Sequence, residues 1–138
     1  MKNLVNTELK ASVDLKRMYF KHIEFIRSDD DFDSVELKVN FNKSHQFNQD
    51  SSEAIVTLSC KVSDVDESLL SLDVTIVGVF RCHHDCEDVR RTLLSKNTVA
   101  ILFPYLRSQI SLITTQPDMP PITLPPINIE ALLNNQDK

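Results

Sequence analysis

The run Thr98-Val-Ala-Ile-Leu-Phe-Pro-Tyr-Leu-Arg-Ser-Gln-Ile-Ser-Leu-Ile-Thr114, followed by Pro117-Asp-Met-Pro-Pro-Ile-Thr-Leu-Pro-Pro126 and Ile127-Asn-Ile-Glu-Ala-Leu-Leu133, decides the fold of this chain. Its first part reads as a long helix. Val99, Leu102, Phe103, Leu106, Ile110 and Ile113 recur at the spacing of one helical face. Pro104 lies inside that pattern, where a kink is expected. The second part is stiff and cannot be regular helix, so it reads as a crossover that displays Met119, Ile122, Leu124 and Ile127. The third reads as a short amphipathic helix with Asn128 as its cap. The stripe Val99, Leu102, Leu106, Ile110 and Ile113 is expected to exceed what one small sheet covers. It is therefore read as an oligomer interface. A chain of this kind is expected to build subunits and grooves rather than an active site.

Upstream, Asp85 to Lys96 reads as a separate acidic-to-basic helix, broken at Ser95-Lys-Asn97. Before it come four strand candidates. Leu69 to Cys82 has Leu70, Leu72, Val74, Ile76, Gly78 and Phe80 on one face. The other face is only partly polar, and its cover is assigned to another subunit. Glu53 to Val62 and Ser34 to Asn42 alternate with period two, the sign of half-buried antiparallel strands. Lys43 to Ser52 reads as a polar loop. Met18 to Ile26 is rich in aromatic and β-branched residues. Tyr19, Ile23 and Phe25 are assigned to one face of it, and Phe20, His22, Glu24 and Ile26 to the other. Residues 1–8 read as a loose arm. Strands followed by helices imply a single α+β domain over residues 1–138, with a four-stranded antiparallel sheet, a long helix, a Pro-rich crossover and a short last helix.

Composition narrows the function. The chain has 138 residues and a net charge of −5, which gives no basic footprint for nucleic acid. The single glycine, Gly78, argues against a phosphate-cradling loop. Three cysteines are too few for a disulfide framework and fit a reducing compartment. No run approaches the roughly 18 apolar residues of a membrane helix. The expectation is a soluble cytoplasmic protein without membrane insertion and with no cofactor.

Cys82-His-His-Asp-Cys86 is the sharpest chemical cluster, since each side chain is a potential zinc ligand. The spacing is cramped and no distant cluster completes a site, so no metal is expected. The alternative reading is a strand end, two solvent-facing histidines and a helix start. A thiol enzyme centred on Cys86, with His83 or His84 as base, lacks any oxyanion site. No catalytic residue is assigned.

Ala100-Ile-Leu-Phe-Pro-Tyr-Leu-Arg-Ser-Gln-Ile-Ser111 and Leu124-Pro-Pro-Ile-Asn-Ile-Glu-Ala-Leu-Leu133 resemble the two helix-entry elements of the SecB family of protein-export chaperones. Gly78-Val-Phe80 and Arg17-Met-Tyr-Phe-Lys-His-Ile-Glu-Phe25 resemble its fourth and first strands. The similarity runs over about residues 15 to 134. It implies a dimer of dimers, a homotetramer that uses no ATP and holds non-native polypeptides in apolar grooves. The groove residues implied are Phe103, Tyr105, Met119, Pro121, Ile122, Leu124 and Pro125. The family's acidic sheet face docks the SecA motor, and Glu24 and Asp73 are the acids on that side here. His22 and Ile26 stand where the family has acids, and the family's acidic tail is missing, which counts against SecA docking. Some SecB-like chaperones protect the antitoxin of a toxin–antitoxin pair, and that is the alternative reading.

Overall fold

Residues 13–31 and 35–136 are described by the computed structural model; the expected arm at residues 1–8 lies outside them. The elements follow in order: β1 (Val13–Arg27), β2 (Leu37–Phe47), β3 (Glu53–Asp64), β4 (Leu70–Cys82), α1 (Glu87–Ile113) and α2 (Ile129–Gln136). The four strands form one antiparallel sheet in the order β1-β4-β3-β2. This is the expected α+β architecture.

The cleanly alternating strands behave as their sequences dictate. Ala54, Val56, Leu58, Cys60 and Val62 of β3 and Leu72, Val74, Ile76 and Phe80 of β4 are buried on the helix-facing side. Gly78 shares that side, and its missing side chain has a purpose. A Cβ there would lie 2.6 Å from the Phe80 ring and 2.8 Å from Leu102 Cδ2. The bare backbone lets α1 approach the sheet at its middle.

β1 departs from the expected faces. Its register against β4 shifts between Leu15 and Arg17 and again between Phe20 and His22. Each bulge inserts one residue, Lys16 or Lys21, and so reverses which face follows. Met18 and Phe20 stand opposite Gly78 and Ile76, while Ile23 and Phe25 stand opposite Val74 and Leu72. Phe20 therefore joins Ile23 and Phe25 on the helix side, and Tyr19 falls on the outer face with His22, Glu24 and Ile26.

β2 runs beyond Asn42 through the expected loop to Phe47. Lys43, His45 and Phe47 are half-buried and alternate with exposed Ser44 and Gln46. The His45 and Phe47 rings stack 6.3 Å apart, and Arg91 of α1 sits 4.2 Å over Phe47. Packing against the helix thus extends the strand through residues whose polarity reads as loop.

α1 is one helix of 27 residues, without the break expected at Ser95–Asn97. Ser95 and Asn97 cost only a few tenths of a kcal/mol each in a helix. Thr98 Oγ1 donates to the Leu94 carbonyl at 2.6 Å, and Leu94 and Thr98 are both fully buried. The core stripe therefore continues through the junction. The helix also runs on either side of Pro104, which is exposed.

Val99, Leu102, Leu106 and Ile110 are fully buried within this one chain, and Ile113 is partly buried. This corrects the inference of a surplus stripe. At 1.5 Å per residue the stripe spans about 21 Å. At about 3.3 Å per residue the 13-residue β4 spans about 43 Å. The sheet is the larger surface. Val77 on the outer face is also covered within the chain, at 2% exposure, between its neighbours Tyr19 and Thr57.

With one glycine available, the turns are made by side chains. Ser51, Glu67 and Asp118 adopt positive φ. The Asp64 carboxylate closes the β3–β4 turn by accepting from the Ser68, Leu69 and Leu70 amides at 2.9–3.1 Å. Those bonds, led by Leu70, hold its pKa down to about 2. Asn128 Oδ1 accepts from the Ala131 amide at 3.2 Å and caps α2 as expected.

Candidate binding groove

A groove of about 410 Å³ lies between the start of β2 and the crossover. Val35 and Leu37 form one wall, Met119 to Thr123 the other, and Leu70 lines it between them. Three of the seven expected groove residues, Met119, Pro121 and Ile122, meet here. Prolines supply no amide hydrogen and fix φ, so this wall presents carbon rather than donors.

The wall is fastened to the end of α1. Thr114 Oγ1 donates to the Ile110 carbonyl and accepts the Ile122 amide, both at 2.8 Å. Ser111 Oγ donates to the Ile122 carbonyl at 3.2 Å. Both polar groups of the Ile122 backbone are thereby satisfied by helix side chains, which leaves its apolar side chain to pack at the groove.

The other four candidates lie elsewhere. Leu124 is buried at 6% exposure and plugs the crossover into the core. Phe103 is also core, with its ring edge-on to Phe41 at 5.9 Å. It borders a second cleft of about 340 Å³ with Pro104, Arg107, Pro126 and Ile127. Tyr105 is 48% exposed on α1, and Pro125 is exposed; neither lines the groove. Sequence reasoning missed Val35, Leu37, Leu70, Pro120 and Thr123. The apolar period of β2 marked Val35 and Leu37 as facing inward. Nothing in that period says that β2 is the sheet edge beside the crossover.

On the outer face the register sets Glu24 directly opposite Asp73, and Asp73 opposite Lys61. The two expected docking acids are therefore neighbours, but with a lysine beside them. Lys61 bonds Glu67 at 3.0 Å. Its pKa is raised by that bond and the Glu67 charge, with Asp73 and Glu24 adding to it.

The Cys82–Cys86 cluster diverges. Cys82 is buried, whereas Cys86 is exposed at the α1 N-cap. His83 Nε2 lies 2.9 Å from the Asp14 carboxylate, and His84 Nδ1 accepts the Cys86 amide at 3.1 Å. Burial pushes the Cys60 thiol up to about 12. Among the described residues no helix is long and apolar enough to cross a membrane.

A family model described as preprotein translocase subunit SecB matches residues 6–138. An uncharacterized protein of Methanocaldococcus jannaschii is 31% identical, covering 91% of this chain and 85% of that protein. The protein-export protein SecB of Thiobacillus denitrificans is 26% identical, covering 77% and 70%. The fold matches that of the Mycobacterium tuberculosis SecB-like chaperone in complex with a ChAD peptide from the HigA1 antitoxin, with a TM-score of 0.68. That pair shares 16% identity and covers 91% of this chain and 94% of the other.

Proposed function

This chain belongs to the SecB family of chaperones, and from that premise we propose that it holds non-native polypeptides, without ATP, in the groove between β2 and the crossover. The observation that carries the reading is the groove itself. It is open, about 410 Å³ in volume, and walled by Val35, Leu37, Met119, Pro121 and Ile122. Such a surface binds apolar side chains of a loosened chain and has no group positioned to react with them. The contact residues in this reading are those five with Leu70. Homotetramer formation follows the family precedent. It would draw on exposed apolar side chains such as Leu112 and Tyr105 of α1, not on the buried stripe. The place of action in this reading is the cytoplasm.

The purified protein should suppress aggregation of several unrelated unfolded chains at near-stoichiometric ratios without nucleotide. Met119→Asp and Val35→Asp should weaken that holding with the circular dichroism spectrum unchanged. Pro125→Ala, off the groove, should not. Full holding by both aspartate variants would defeat the reading.

A second reading, a chaperone dedicated to one antitoxin, is favoured by the outer face. Lys61 stands beside Glu24 and Asp73, so this patch is a poorer match for a basic motor surface than an all-acidic one. Titration against SecA and against an antitoxin tail separates the two. Tight binding to SecA that is lost in Asp73→Lys supports the export role.

A further inference from the structure

The crossover cannot fasten itself, because Pro117, Pro120 and Pro121 donate no backbone hydrogen bond. At its far end Thr114 and Ser111 hold Ile122. At its near end the holder is Arg27, the last residue of β1, which stands opposite Leu70 of the groove. Arg27 Nη1 donates to the Asp118 carbonyl at 3.0 Å, and Nη2 lies 3.6 Å from the Asp118 carboxylate. Nη2 also donates to the Asp30 carbonyl at 3.1 Å, and Nε to the Ser28 carbonyl at 2.9 Å. Asp118 has φ +65°, a left-handed turn conformation that Asp tolerates better than most non-glycine residues. Asp118 is followed by Met119, the first residue of one groove wall. Ser28 and Asp30 directly follow β1, whose last residue Arg27 pairs with Leu70 of the groove. One guanidinium therefore ties the root of the crossover wall to the end of the sheet.

We propose that Arg27 is a positioning residue that sets the width of the groove, and so which client side chains it admits and how long it keeps them. This rests on the reading of the groove as the polypeptide site. A planar fork reaching three carbonyls is specific to arginine; a lysine ammonium is a single point that cannot span them. Without the fork the walls part. A slim anchor side chain then loses contact on one side, while a bulky one gains room.

The test uses two labelled peptides identical except for a central Leu or Trp, with release followed by stopped flow on the full chain. Loss of one net hydrogen bond's worth of closure predicts that Arg27→Gln and Arg27→Lys release the Leu peptide about fivefold faster. Release of the Trp peptide should change little, so the preference shifts toward Trp. Amide exchange at Met119 and Ile122 should quicken in both variants. If the unaltered protein binds neither peptide, the groove reading fails and the width-setting role falls with it. If it binds both and the Arg27 variants match it in release and preference, only the role of Arg27 is overturned. Equal acceleration for both peptides, in step with a lower melting temperature, would mark Arg27 as a structural residue and overturn the role as well.

Discussion

Thr114→Val tests whether the groove wall is held by the end of α1. Valine keeps the shape of threonine and removes its hydroxyl, which bridges the Ile110 carbonyl and the Ile122 amide at 2.8 Å on each side. The Ile110 carbonyl retains the Thr114 amide at 3.1 Å. The loss therefore falls on the Ile122 amide, which is part-buried and is left beside a methyl group of the fully buried residue 114. An unpaired buried donor costs about 1–3 kcal/mol. The upper end applies if the crossover stays in place. The lower end applies if it lifts to let water reach the amide, at the expense of Ile122 packing. For a domain of this size that lowers the melting temperature by about 3–10 °C. Ser111→Ala should cost less, about 0.5–1.5 kcal/mol, because the Ile122 carbonyl it frees can accept from water. Urea unfolding gives both values, and hydrogen exchange at Ile122 shows where the loss occurs. If Thr114→Val unfolds within about 0.3 kcal/mol of the unaltered protein, and Ile122 exchanges no faster, the hydroxyl does not hold the wall.

Gly78→Ala should destabilise by about 1–3 kcal/mol from overpacking, less about 0.5–1 kcal/mol returned by the stiffer unfolded chain. The contacts of 2.6 and 2.8 Å awaiting the new methyl make a net gain in melting temperature the adverse result. Of the three thiols, Cys86 alone should react with a thiol reagent in the native protein, and all three in denaturant, because Cys60 and Cys82 are buried. Rapid native modification of Cys60 would contradict the β3 register. The Asp64 carboxyl titrates at about 2 when folded against an ordinary 3.8. Between those values only the unfolded chain takes up the proton, so the stabilisation is intact above the window and lost as pH falls through it. Unfolding measured from pH 5 downward should therefore show a steeper loss in the unaltered protein than in Asp64→Asn. Parallel curves would remove Asp64 from the account.

Much of the fold was legible because β3 and β4 pair without interruption, and a clean alternation of residues then maps directly onto two faces. β1 was not, since a bulge adds one residue without any sequence mark, and Lys16 and Lys21 look like ordinary exposed lysines. The unbroken α1 was hidden for a different reason. Ser95 and Asn97 are weak helix formers that a buried face overrides, and the Thr98 hydroxyl is satisfied within the helix itself. In the crossover, proline content announced a stiff wall but not its orientation. An irregular segment has no period, so Met119 and Ile122, which face the groove, cannot be told from Leu124, which faces the core. The same blindness covers Arg27, which reaches two carbonyls just after it and one 91 residues away, all in segments without a period.

α1 is tied down at both ends and packed against the sheet between them. Near its start Arg90 donates to the Asp50 carbonyl and Arg91 to Ser51 Oγ, in the β2–β3 turn. Near its end Thr114 and Ser111 grip Ile122. Between them Leu102 rests over Gly78. A 27-residue helix is a rod about 40 Å long. With its stripe buried from Leu94 to Ile110, it fixes the separation between the turn at one tip and the groove wall at the other.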